Sequence, residues 1–161
     1  MIRNQIETVV GLMTSVPPVA PETEGTAPNF FYGTRNELNL LADNAQFPCV
    51  FMYTLQPATL EFQLNNSIND TYSLYLEFLF LTEFGEFTSQ NEVYINQALA
   101  MAKEFMIRLK DYRADGVRRF FKVKSGDKAK SMPVYNKFNA NTTGVNLTIT
   151  LNTLYNDQLC F

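Results

Sequence analysis

Hydrophobic residues recur along the chain with two different periods, and the changes of period mark out its elements. Ile2, Ile6, Val9, Val10 and Met13 fall at the spacing of an amphipathic helix, with Asn4, Glu7, Thr8 and Gly11 on the other side. The stripe stops at Ser15-Val16-Pro17-Pro18, since proline has no N–H to donate and restricts the residue before it. Residues 17–29, PPVAPETEGTAPN, hold four prolines and no apolar period. The span 17–33 is therefore expected to be a Pro-rich extended loop or arm, too long for a mere connector. Thr34 and Glu37 then have the spacing of a capping box, opening a short helix through about Ala42.

From Cys49 the period shortens to two. CVFMYTLQ and ATLEFQL read as strands, NNSIND as a turn, and TYSLYLEFLFLTE as a longer strand. In that last run Tyr72, Leu74, Leu76, Phe78 and Phe80 share one face. Ser73, Tyr75, Glu77, Leu79 and Leu81 share the other, so the far end should be buried on both sides, as at a sheet centre. Ser89-Gln-Asn-Glu92 is a second capping box, ahead of a helix that runs to near Tyr112 with Ile95, Leu99, Ala102, Phe105, Met106 and Leu109 as its stripe. Ala114-Asp115-Gly116 breaks it, with Gly116 suited to positive φ. The stretch GVRRFFKVKSGDKAK follows as a strand, which Ser125-Gly126-Asp127 turns into another reading SMPVYNKF. Finally Val145, Leu147, Ile149 and Leu151 alternate with Asn146, Thr148, Thr150 and Asn152, a strand buried on one face. Hairpin-like connections around one long helix predict a single α+β domain over 1–161. Its sheet is mainly antiparallel, with the long helix and the N-terminal helix packed on one face.

At 161 residues the chain can bury a core without staples, and its 14 Phe and 8 Tyr supply the bulk that the absent Trp does not. No run approaches the length that spans a bilayer, and the spaced apolar residues of MIRNQIETVVGLM read as part of the fold rather than a signal peptide. Cys49 and Cys160 lie far apart and form no CxxC pair, which suits a reduced cytosolic setting, Cys49 being read as a buried strand residue. The N-x-[ST] sequences at Asn65, Asn69, Asn141 and Asn146 read as turn and strand residues.

Histidine is absent, which removes Ser-His-Asp and Cys-His catalysis and the commonest transition-metal ligand. No phosphate loop, GxGxxG, GxSxG or EF-hand loop occurs. No catalytic, cofactor-binding or metal site is therefore expected. The enzymatic alternative uses carboxylates such as Glu77, Glu83 and Glu86, of which Glu83 and Glu86 flank a Phe-Gly turn and are most simply solvated.

The charge is segregated. Residues 1–102 hold 2 basic and 11 acidic residues, net −9; residues 103–137 hold 11 basic and 4 acidic, net +7; one acid follows, giving −9 + 7 − 1 = −3. On the strand within the basic stretch, Val117, Arg119, Phe121 and Val123 point one way, and Arg118, Phe120, Lys122 and Lys124 the other. Such a face suits a small nucleic-acid-binding module on the basic 117–130 strand and turn, neutralising phosphates and stacking a base, although the acidic remainder repels a polyanion. It equally suits self-association, because separate acidic and basic patches complement one another head to tail and close into a ring. A solvated face with no partner is the bland reading. The Pro-rich arm cannot fold alone and is expected either to be disordered or to order along a neighbouring subunit. Phe30, Phe31 and Tyr32, directly after it, are candidate anchors, or else plug the chain's own core. The candidate subunit interface thus comprises Arg118, Arg119, Lys122, Lys124, Phe30, Phe31 and Tyr32.

An N-terminal helix, a long loop, strands reading FPCVFMYTL and YSLYLEFLF, the helix NEVYINQALAMAKEFMIRL, and a closing strand ending near a cysteine resemble small neck proteins of tailed bacteriophages. These are the tail-completion, tail-terminator or connector-ring proteins, and the likeness is closest to those of phages infecting Bacteroidales, including crAss-like phages. It covers most of the chain from about residue 35 and is carried by element order and texture. The resemblance implies a structural virion protein with no catalytic residues and no cofactor. It would form a homo-oligomeric ring, twelvefold or sixfold, between portal and tail, with neighbouring portal, ring or tail proteins as partners. DNA would be only non-specific channel cargo, and no membrane would be involved. The implied location is the virion neck or tail, and the host cytoplasm during assembly. A DNA-channel lining is often acidic or neutral, so the basic strand departs from that pattern and is compatible with a subunit, another ring or DNA.

Overall fold

A computed structural model describes residues 2–14, 25–37, 46–54, 59–62, 68–82, 88–113, 121–123, 129–137 and 141–153. Within them the chain runs α1 (Ile2–Gly11), β1 (Asn29–Gly33), β2 (Cys49–Tyr53), β3 (Thr59–Phe62), β4 (Ile68–Leu81), α2 (Thr88–Asp111), β5 (Phe121–Val123), β6 (Lys130–Lys137) and β7 (Thr142–Thr153). This is an α+β fold with both helices on one face of the sheet.

Two long strands form the middle. β4 and β7 pair antiparallel from Asp70↔Thr153 to Leu81↔Thr142, and each is flanked by two short strands set end to end. Along the free side of β4, β3 takes residues 68–71 and β2 takes residues 76–79. Along the free side of β7, β5 takes residues 151–153 and β6 takes residues 142–148. β1 lies outside β2 and runs parallel to it, from Asn29↔Cys49 to Gly33↔Tyr53. The sheet is thus mixed, antiparallel apart from that one pair.

Alternation along the strands decides what each face buries. Val50 and Met52 of β2, Leu74, Leu76, Phe78 and Phe80 of β4, and Val145, Leu147, Ile149 and Leu151 of β7 point to the helix layer and are buried there. Ile2, Ile6, Val9, Val10 and Met13 of the first segment, and Ala98, Met101, Ala102, Phe105 and Leu109 of α2, close over them. Phe105 meets Phe78 edge-on at 5.8 Å between ring centroids. Burying each such side chain contributes about 1.5–3 kcal/mol.

The helices are tied to each other by polar contacts. After α1 ends, the Thr14 N–H donates to Glu104 Oε1 at 2.9 Å, the same oxygen that pairs with Arg108 one turn on in α2 at 3.2 Å. The Tyr112 hydroxyl, just beyond α2, donates to Gln5 Oε1 of α1. At the other end of β4, the Thr82 N–H and hydroxyl both donate to the Asn141 carbonyl, at 3.0 and 2.7 Å. The Asn141 amide returns a bond to the Thr82 carbonyl at 3.3 Å. Asn141 has φ 49°, a left-handed conformation that asparagine tolerates better than most residues.

Several expectations are corrected. Residues 29–33, read as the end of an arm, form β1. Ile68, Asn69 and Asp70, read as turn, already belong to β4. Leu81, assigned to a doubly buried end, is 54% exposed, whereas Glu77 and Leu79 on the same face are fully buried. β5 and β6 do not form a hairpin, because β7 is long enough to take both along one side. The capping box at Thr34 and Glu37 is formed in both directions, and a helical turn over 35–37 follows it. The expected helix beyond 37, the arm over 17–24, Gly116, the Ser125-Gly126-Asp127 turn and Cys160 lie outside the described residues.

Candidate functional site

Of the candidate interface residues, Phe30, Phe31 and Tyr32 come together on β1, all half-buried. Phe30 and Tyr32 pack on the helix-side core, and Phe31 packs with Cys49, Phe51 and Leu79 on the opposite face. The Arg3 guanidinium stands 5.0 Å from the Tyr32 ring centroid, a cation–π contact that ties α1 to β1. These aromatics therefore serve this chain's own core. Lys122 is in β5, paired with Asn152, at the other end of the strand order from β1. Arg118, Arg119 and Lys124 lie outside the described residues, as do Glu83 and Glu86.

Glu77, the remaining carboxylate candidate, is fully buried on the face away from the helices. Its strand neighbours are Phe51 on β2 and Asn146 on β7. Tyr53 hydrogen-bonds the Glu77 carboxylate, and its ring packs edge-on against both Phe51 and Tyr75, each at 4.9 Å. Asn146 extends the network, its amide donating to the Tyr75 hydroxyl at 3.0 Å and its Oδ1 accepting the Met132 N–H at 3.2 Å.

The electrostatics follow from that burial. Loss of water, then the charge of Glu77, pushes the Cys49 thiol up to about 12. The same two causes raise Tyr53 and Tyr75, with Arg35 opposing in both cases. A thiol held protonated is a poor nucleophile, and a phenol held protonated can only donate to the carboxylate beside it. The cluster surrounds the buried Glu77 carboxylate with a phenol that donates to it, while the Glu77 Oε2 is buried with no hydrogen-bond partner among the described residues. A shallow cleft of about 370 Å³ borders it, lined by Tyr53, Thr54, Ser73, Leu74, Tyr75 and Thr148. Among the described residues no group of three or more Cys, Asp or Glu side chains could hold a metal ion, and no helix is long and apolar enough to cross a membrane.

A second concavity among the described residues is larger and apolar. A groove of about 440 Å³ runs between α2 and the β6 edge, lined by Leu99, Ala102, Lys103, Met106, Ile107, Ala129, Ser131 and Leu147. Ile107 is 61% exposed beside it, and Met132 and Tyr135 of β6 are exposed too, at 62% and 44%. The signal in the sequence is an out-of-place residue: Ile107 falls off the α2 stripe, where a solvated position would ordinarily be polar.

No family model matches the chain, and no curated protein matches it.

Proposed function

We propose that the protein is a non-enzymatic assembly protein that forms a homo-oligomeric ring. We propose further that this ring is the structural kind found in the head-tail neck of tailed phages, joining portal to tail around the DNA channel. One observation carries the reading. The strand order β1-β2-β4-β7-β5, with β6 beside β5 on β7, sets strands drawn from the two oppositely charged stretches of the chain on opposite sides of the sheet, which supports the reading. The stretch of net −9 contributes α1, β1, β2, β3, β4 and α2 as far as Ala102, and the stretch of net +7 contributes the end of α2, β5 and β6. Contacts between unlike patches on successive copies close into rings when the rotation permits.

Light scattering and negative-stain microscopy of the purified protein test this. Closed rings are expected, either alone or on addition of a purified portal, with assembly weakening as salt rises. A protein that stays monomeric and joins neither portal nor tail is incompatible with the reading. Retention on DNA at low salt without assembly would assign the same cations to a nucleic acid instead.

A further inference from the structure

We infer that the cleft beside Tyr53 and Tyr75, on the sheet face away from the helices, is a binding site for a neutral saccharide. The inference goes beyond the ring reading and does not depend on it. The cleft owes its place to an interruption along one side of β4. β2 takes residues 76–79 of that strand and β3 takes residues 68–71, so residues 72–75 have no described strand on that side. The cleft of about 370 Å³ opens there, between Ser73, Leu74 and Tyr75 of β4, Tyr53 and Thr54 at the end of β2, and Thr148 of β7.

Its chemistry is that of hydroxyls beside aromatic rings. Five of the six lining residues carry a hydroxyl, and none of the six is charged. The aromatic walls are fixed in place: the Tyr53 hydroxyl is held by Glu77, and the Tyr75 hydroxyl by the Asn146 amide. The two rings meet edge-on at 4.9 Å. Thr54, Ser73 and Thr148 are exposed, and each of their hydroxyls both donates and accepts. A sugar ring has the matching character, with apolar C–H faces that pack on an aromatic side chain and an edge of hydroxyls that donate and accept. Walls already locked on a rigid sheet lose little freedom on binding. The volume is near the lower end of ligand sites, roughly 300–1,000 Å³, which suits a short saccharide.

Charge argues against an ionic ligand of either sign. Glu77 lies behind the tyrosines, fully buried, and its charge acts on both phenols, so an anion in the cleft would be repelled across the rings. Arg35 acts on the same phenols with the opposite sign, and Lys130 stands opposite Thr148 on the neighbouring strand. Both are exposed, and both oppose a cation. A ligand of uncharged hydroxyls escapes both penalties.

Saturation-transfer difference NMR tests this, because it reads the protons of the added sugar whatever the assembly state of the protein. Maltose, cellobiose and diacetylchitobiose are each offered at about 10 mM, with inorganic phosphate and choline as ionic competitors. At least one neutral disaccharide should receive saturation from the wild type, and neither ion should displace it. The exposed positions of Ser73→Ala/Thr148→Val should leave circular dichroism native. That variant should weaken the sugar about fivefold or more, as two lost hydrogen bonds would, with each single substitution falling between. Saturation of none of the three sugars overturns the inference and leaves the ring reading standing. Sugar binding that the double variant leaves unchanged places the sugar elsewhere and also overturns it. Displacement by phosphate or by choline makes the cleft an ion site and overturns it too. Sugar binding by a chain that never assembles overturns the ring reading alone.

Discussion

Gly144 of β7 lies so close to Phe78 of β4 that a β-carbon on it would stand 1.8 Å from the Phe78 carbonyl oxygen. The obstacle is main chain within the longest strand pair, two residues from its Leu81↔Thr142 end, not the end of a side chain that could swing away. Gly144→Ala is therefore expected to destabilise the fold by about 3 kcal/mol or more, at or beyond the top of the range for overpacking. Urea denaturation measures it. A change below about 1 kcal/mol would mean that the two strands part easily there.

High pH should unfold the protein through its outer sheet face. Cys49 is raised from an ordinary value near 9 to about 12, and Tyr53 and Tyr75 are raised from about 10. Each holds its proton more tightly in the folded chain than in the unfolded one. Their contribution to stability is therefore complete below about pH 9 and is lost as pH rises through the folded values. The urea midpoint should hold between neutral pH and about pH 9 and then fall. In a Cys160→Ser background, thiolate absorbance at about pH 10 should be absent from the native protein and present after unfolding.

Glu104 should matter more than its ion pair suggests. Its Oε1 accepts the Thr14 N–H and also meets Arg108. The Arg108 side chain is 43% exposed, so Arg108→Ala is expected to cost no more than about 0.5 kcal/mol. Glu104→Ala removes the acceptor that ties the end of α1 to α2 and is expected to cost about 1–2 kcal/mol. Comparing the two variants by urea denaturation separates the interhelical bond from the surface pair.

Much of this architecture was legible in residue patterns, for identifiable reasons. The stripe of α1 and the alternation of β7 each bury one face against a single partner layer, so their periods are clean. α2 is less regular. Ala98 and Met101 are fully buried while Ile95 and Leu99 are only partly so, because the helix packs on both the sheet and α1 and its buried face is set by both. β1 escaped notice because it is five residues long and pairs parallel with a strand beyond the next connection, where no hairpin turn marks the partnership. The turn signals around residues 125–127 showed that two strands were separate, but not that both would choose β7.

As for the site, the charge division was fully visible in the chain, while its meaning depended on strand order. Where Phe30, Phe31 and Tyr32 pack depended on register, which sets them half-buried on the two faces of their own sheet. The groove needed the structure, since its walls come from residues 99–107, 129–131 and 147, which no local pattern joins. Glu77 is legible as a carboxylate on a strand, but its full burial and the hydrogen bond from Tyr53 come from partners on β2 that no local pattern joins to it.

The pairing of β4 with β7 also bears on synthesis. The strand completed at Leu81 finds its central neighbour only at Thr142–Thr153. A ribosome will thus have emitted most of the chain while an apolar ribbon still lacks its mate. Until then that ribbon can be claimed by another nascent copy, so conditions that slow translation between these segments should favour inclusion bodies over soluble product.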